Sequence, residues 1–212
     1  MNNSIIQIIT NKDNVYPGNL ESYFRVVWNA NNVTLPYHNL RHMLHVMWST
    51  YNGAEFYAIK GRTLRNMLIA ALFHDYGHTG TTKDDAVNIT IALSGLNQFI
   101  EEEDKPYLSE IELLIKATAM PHSYIEDAEE NLPQLILRDA DITYSLEDVW
   151  IQTVNFGLNF EMNISTESIL KFQEKFLTDI LVLSTGWAKE KYGSKVKSRI
   201  EETNQMVQVL YP

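Results

Sequence analysis

Leu72-Phe73-His74-Asp75-Tyr76-Gly77-His78 sets two histidines and a carboxylate directly behind an apolar run. Upstream, Leu64, Leu68, Ala71 and Phe73 recur at helical spacing, so the stretch reads as a buried helix handing polar side chains to one place. Two other groups answer it. Tyr37-His38-Asn39-Leu40-Arg41-His42 precedes a helical stripe of Leu40, Met43, Met47 and Tyr51. Arg138-Asp139-Ala140-Asp141 follows the run Leu135-Ile136-Leu137. Four of the six histidines fall in the first two groups. Imidazoles and carboxylates together suit a divalent ion such as zinc, manganese or iron. His38 and His42 are four apart, so a helix starting near Pro36 would put both on one face. His74 and Asp75, about 100° apart on a helix, would let one ligate a metal while the other bridges to a second. Asp75 and Asp141 in one site are costly unless a cation lies between them. Set against this, His45 reads as a core histidine, and Asp139 and Asp141 are also suited to capping a helix start.

Most of the remaining chain reads as helix with short breaks. Pro36, Pro106, Pro121 and Pro133 fall between apolar-periodic segments. Ser109-Glu110-Ile111-Glu112 has the pattern of a capping box. Ile169, Phe172, Phe176, Ile180 and Leu183 predict one amphipathic helix from Ser168 to about Lys189, followed by another from Lys195 to Leu210. Ser4 to Thr10 suits strand or helix equally, and Glu101-Glu102-Glu103-Asp104 reads as a solvated helix end. The expected architecture is an all-α bundle of seven to nine helices, one compact domain over residues 1–212.

At 212 residues and 45% hydrophobic content the chain is long enough to bury a core without staples. Lys+Arg 17 against Asp+Glu 27 leaves a net charge of −10, which argues against a protein that coats nucleic-acid phosphates. The absence of cysteine excludes disulfides, thiolate nucleophiles and cysteine-based zinc sites. No basic start leads an apolar run, and no window approaches a membrane span, so a cytoplasmic protein with neither nucleic-acid nor membrane partner is expected.

The order His42, His74-Asp75, Asp141 resembles the ligand order of the HD superfamily of metal-dependent phosphohydrolases. More narrowly, Tyr37-His38-Asn39-x-x-His42, His74-Asp75-x-x-His78 and Ala140-Asp141-Ile142 are similar to the catalytic core of class I cyclic-nucleotide phosphodiesterases. Ala117-Thr118-Ala119-Met120-Pro121-His122 is similar to an alanine-threonine-aspartate-methionine segment of that family, with Ala119 at the aspartate. Gln173-Glu174-Lys175-Phe176 has its glutamine-x-x-phenylalanine spacing. Thr79 stands where proline is usual, and Thr143-Tyr144 where serine-asparagine is.

The resemblance implies a helical HD/phosphodiesterase-type bundle that hydrolyses the 3′,5′-phosphodiester of a small-molecule cyclic nucleotide, cAMP- or cGMP-like, to the 5′-monophosphate. It implies two divalent metal ions, zinc or manganese/iron at the tight site and magnesium or manganese at the second. His42, His74, Asp75 and Asp141 would hold them. His38, as general acid, and His78 would be catalytic. Tyr37, Met120, His122, Gln173 and Phe176 would meet the substrate. Gln173 shares an apolar stripe with Ile169 and Phe176; its amide suits the polar edge of a purine, on which Phe176 would stack. Three other activities would use a similar frame. A phosphohydrolase acting on nucleotides or alarmones needs the same ligands without Gln173 and Phe176. A di-iron oxygenase needs more histidines than His78 and His122 provide. A catalytically weak nucleotide-binding protein would bind without turnover.

Overall fold

The computed structural model describes residues 4–80, 85–122, 125 and 130–211. Among these the regular structure is helical, in ten α-helical segments with no strand, against the seven to nine expected. They run α1 (Ile5–Ile9), α2 (Glu21–Asn29), α3 (Leu40–Phe56), α4 (Gly61–Phe73), α5 (Asp85–Phe99) and α6 (Leu108–Ala117), then α7 (Leu132–Ile142), α8 (Asn159–Met162), α9 (Thr166–Lys175) and α10 (Gly186–Leu210). Short 3₁₀ turns open α6 and follow α7, and π-helical turns cover Ile151–Leu158 and Phe176–Ile180. No helix of the described residues is long and apolar enough to cross a membrane.

The ambiguous N-terminal segment becomes helix because Ser4 and Gln7 close a reciprocal capping box around α1. The Ser109 capping box does not form: α6 begins at Leu108, with Tyr107 at its cap position and no side-chain bond there. The long helix expected from Ser168 breaks. Its π-helical turn ends at Ile180, Leu181 is extended, and Thr185 caps a new helix through the Ala188 amide. The final helix therefore starts at Gly186, nine residues earlier than expected.

α4 lies at the centre and is buried on every side from Leu64 to Phe73. α3, α6 and α7 pack around it, and Gly53 lets α3 and α7 approach closely. A Cβ there would sit 2.6 Å from Ile136 Cγ2. A second, smaller apolar cluster of Trp150, Val154, Ile169 and Leu170 joins the π-helical turn after Trp150 to α9, with Leu158, Met162 and Tyr37 against it. The space between the main core and this cluster is the cavity described below.

The acidic run follows the end of α5 and leaves Glu102 and Glu103 exposed as expected, but its last member is not solvated. Asp104 is fully buried, where Arg65, itself fully buried, donates Nε to Oδ1 at 2.8 Å and an Nη to Oδ2 at 2.6 Å. Arg62 and the Tyr23 hydroxyl also bond this carboxylate, and Glu103 accepts from Arg65 at 2.7 Å. Burial would raise the Asp104 pKa, but Arg65 and Tyr23 outweigh it and hold the carboxyl below its ordinary value. The cluster thus has a structural cation of its own. Arg65→Met strands a buried carboxylate and is expected to destabilise the fold by about 3 kcal/mol, read as a lowered Cm in urea with unchanged m.

Candidate functional site

α3, α4 and α7 end their polar faces at one point. Asn39 caps α3 by accepting the Arg41 amide at 2.9 Å, in extended backbone that ends any helix before it. His42 is therefore helical and His38 is not. The two do not share a helix face; His38 stands in the bend leading into α3. α4 ends at Phe73, and His74 and Asp75 occupy the turn beyond it, closed by Gly77 at φ +68°. Asp141 is on the last turn of α7. Its neighbour Asp139 is at the end of a helix rather than the start of its own. It accepts the amides of Ser184 at 2.9 Å and Thr185 at 2.7 Å, joining α7 to the start of α10.

His42 Nε2 lies 3.0 Å from Asp141 Oδ1 and 3.2 Å from Asp75 Oδ2; His74 Nε2 lies 3.2 Å from Asp75 Oδ2 and 3.6 Å from Asp141 Oδ1. The two Nε2 atoms are 3.3 Å apart. His74 Nδ1 is 2.8 Å from the Ala71 carbonyl, which fixes its proton there and turns the Nε2 lone pair toward the carboxylates. His42 Nδ1 is buried without a partner; that ring is held by Tyr37 and Tyr144, at 5.3 and 5.0 Å between centroids.

Burial would lower both histidine pKa values. The facing Asp75 and Asp141 outweigh it and raise both, His74 well above its usual range. Burial would likewise raise the two carboxyls, but His74 and His42 hold them well below theirs. His42, His74 and Asp141 at this spacing are a donor set that fits a divalent cation, and Asp75 Oδ2 stands 3.2 Å from both imidazoles beside it.

The residues beside this cluster form a second group. His38 Nδ1 bonds Glu161 Oε2 at 2.6 Å, and Glu161 Oε1 also accepts the backbone amides of His38, at 2.9 Å, and Tyr37. Burial would raise the Glu161 pKa, yet the bond to His38 keeps it below the ordinary carboxylate value. The His38 and His78 rings stack at 3.7 Å and 18°. Imidazole lone pairs lie in the ring plane, so stacked rings aim them side by side and cannot converge on one ion. This trio is a poor metal site and a good mount for one oriented imidazole. His78 Nδ1 accepts the Gly80 amide at 3.0 Å, and burial, with the neighbouring His38 charge, lowers its pKa to about 4.

Both groups open into a cavity of about 450 Å³. Its polar lining includes His38, His42, Asp75, His78 and Asp141, and its apolar lining Leu158, Met162, Phe172, Phe176 and Ile180. Tyr37, Met120 and Gln173 also line it. Gln173 is 2% exposed and its Nε2 has no partner.

His122 is not among the lining side chains. Its Nε2 is buried and unpartnered, and burial, then the Arg138 charge, lowers its pKa to about 4. His45 is outside the cavity too, half-buried against Tyr144, with a pKa lowered to about 3 by burial and the His42 charge. Arg138 is buried, with Nε on the Ala117 carbonyl.

Sequence reading missed Glu161, Phe172 and Asp85. Phe172 was visible as part of the amphipathic stripe. Glu161 lies 123 residues from His38 within an unremarkable Asn-Phe-Glu-Met segment, and nothing local marks it.

The arrangement of helices is similar to that of the phosphodiesterase domain of Salpingoeca rosetta rhodopsin phosphodiesterase, at a TM-score of 0.64 and 18% identity, over 98% of this chain and 89% of that one. At that identity the likeness is one of fold. No protein-family model and no curated protein matches the sequence.

Proposed function

We propose that residues 1–212 work as one domain, a metal-dependent phosphohydrolase of the HD type that opens a 3′,5′-cyclic nucleotide to its 5′-monophosphate. The observation that carries this reading is one cavity lined both by His42, Asp75 and Asp141 of the His-Asp cluster and by Gln173, whose buried Nε2 has no partner. The similarity in fold to a phosphodiesterase domain supports it.

His42, His74, Asp75 and Asp141 would hold the metal, two divalent ions in the full site: zinc, manganese or iron at the tighter site and magnesium or manganese at the second. Bound there, such ions lower the pKa of water and offset charge on phosphoryl oxygens. His38 donates the proton that the leaving 3′-oxygen needs. Glu161 positions that imidazole through Nδ1, leaving Nε2 for the substrate, and His78 fixes the plane of the ring by stacking on it. Tyr37 packs on both His38 and His42, so the proton donor and the metal cluster keep one spacing. Met120 forms wall around the substrate, and Phe176, beside Gln173, offers a face to the base.

The deciding experiment is a hydrolysis panel of cyclic mononucleotides, cyclic dinucleotides, nucleoside mono- and triphosphates and an alarmone, with and without chelator. Chelator-sensitive turnover of a 3′,5′-cyclic mononucleotide above all others supports the reading. Preference for a nucleoside triphosphate or alarmone would replace it with the broader phosphohydrolase, and tight binding without turnover with a nucleotide-binding protein.

Gln173→Ala is expected to weaken purine cyclic nucleotides by about 1–3 kcal/mol, a KM effect of roughly 5- to 150-fold, with metal content intact. Phe176→Ala should cost a similar amount through lost stacking. A nitrophenyl phosphodiester, which has no base, should be cleaved almost normally by both variants. Equal losses on that ester would mean that the two residues only pack the helix.

A further inference from the structure

The cavity carries a third carboxylate. Asp85, half-buried in the first turn of α5, lines the wall together with Asn88 and Ile89, three and four residues on, so one face of α5 is turned to the cavity. Asp85 Oδ2 accepts the Met120 amide at 2.6 Å, which ties the side chain to the Met120 segment of the wall. Asp75, Asp85 and Asp141 all line the cavity, and no lysine or arginine does so among the described residues.

We propose that Asp85 is a charge-selectivity group that favours a singly charged phosphodiester over doubly or multiply charged phosphates, and so hastens release of the product. The proposal rests on the function assigned above. A cyclic phosphodiester carries one negative charge. Hydrolysis adds water, breaks the bond between phosphorus and the 3′-oxygen, puts a proton on that oxygen and leaves a monoester. Because the second phosphate pKa is about 6, the monoester at pH 8 carries two charges and one proton has passed to solvent.

Metals held by the His42, His74, Asp75 and Asp141 cluster would attract both species. A fixed carboxylate on the wall repels the second charge in addition to the first, and so separates product from substrate. One unit charge across a cavity of this kind, at an effective dielectric near 20 and about 10 Å, corresponds to roughly tenfold in affinity.

Asp85→Asn isolates the charge, because the amide oxygen still accepts from the Met120 N–H. The test is calorimetric titration of the manganese-loaded protein at pH 8 with two adenine ligands, 5′-AMP and the Rp isomer of adenosine 3′,5′-cyclic phosphorothioate, a slowly hydrolysed monoanion. In Asp85→Asn the ratio of the two dissociation constants should shift about tenfold toward 5′-AMP, while Asp85→Glu keeps the parent ratio. In turnover, product inhibition by 5′-AMP should tighten by a similar factor. An unchanged ratio, or equal weakening of both ligands, would make Asp85 an anchor for the Met120 segment and end the proposal. If the parent protein binds neither these ligands nor their guanine counterparts, the assigned function fails first and this inference with it. Binding of both with no shift in ratio removes Asp85 alone.

Discussion

Replacing Asp75 by alanine is expected to empty the metal cluster and lower turnover by about 10³-fold or more. Asp75 Oδ2 lies 3.2 Å from both His42 Nε2 and His74 Nε2, so its loss removes the one carboxylate placed symmetrically between the imidazoles. A catalytic ion contributes several kcal/mol of transition-state charge stabilisation, and each 1.36 kcal/mol is a factor of ten in rate. Elemental analysis after dialysis should show the parent protein loaded and the variant depleted, with the helical circular dichroism of the two alike. Retained metal together with retained turnover would remove Asp75 from the site. In the parent protein, metal affinity should fall as pH drops. His42 and His74 have raised pKa values in the metal-free chain, so below those values each must give up a proton before it can ligate. Titration in buffers of different ionisation enthalpy should accordingly show protons released on metal binding.

His38→Asn should separate proton transfer from metal binding. Its ring is mounted on Glu161 and stacked on His78, and its ring nitrogens are grouped apart from those of His42 and His74. Metal content should persist while the rate on a cyclic nucleotide falls by about 10²–10⁴, the usual worth of a general acid. The loss should shrink on a nitrophenyl phosphodiester, whose leaving group needs no proton. Glu161→Gln should show a smaller loss of the same kind, because the amide still contacts Nδ1 but no longer offers a carboxylate to the ring. Equal damage on both substrates, or a variant stripped of metal, would dismiss His38 as the proton donor.

The sequence by itself determined the helical class, the buried position of the His-Asp turn behind α4, and the cluster drawn from His42, His74, Asp75 and Asp141. Each of these is written locally. An apolar stripe of period 3.6 specifies a helix and its buried face, and a polar residue interrupting that stripe must find a partner in the interior. Gln173 was legible for the same reason, an amide on an apolar face.

Only the tertiary structure decided who the partners were. Glu161 reaches His38 across 123 positions, and Asp85 meets Met120 across 35. Arg65 draws Asp104 into the core, although the four-residue acidic run carries every local mark of a surface. Asp139, from within α7, holds the start of α10 by accepting the Ser184 and Thr185 amides, just past a break that the stripe from Ile169 to Leu183 does not announce. A charge or an amide in sequence states a requirement for a partner; its identity depends on which helices pack side by side. Here that packing rests on contacts such as Gly53 against Ile136, which lets α3 and α7 close and brings His42 within 3.0 Å of Asp141.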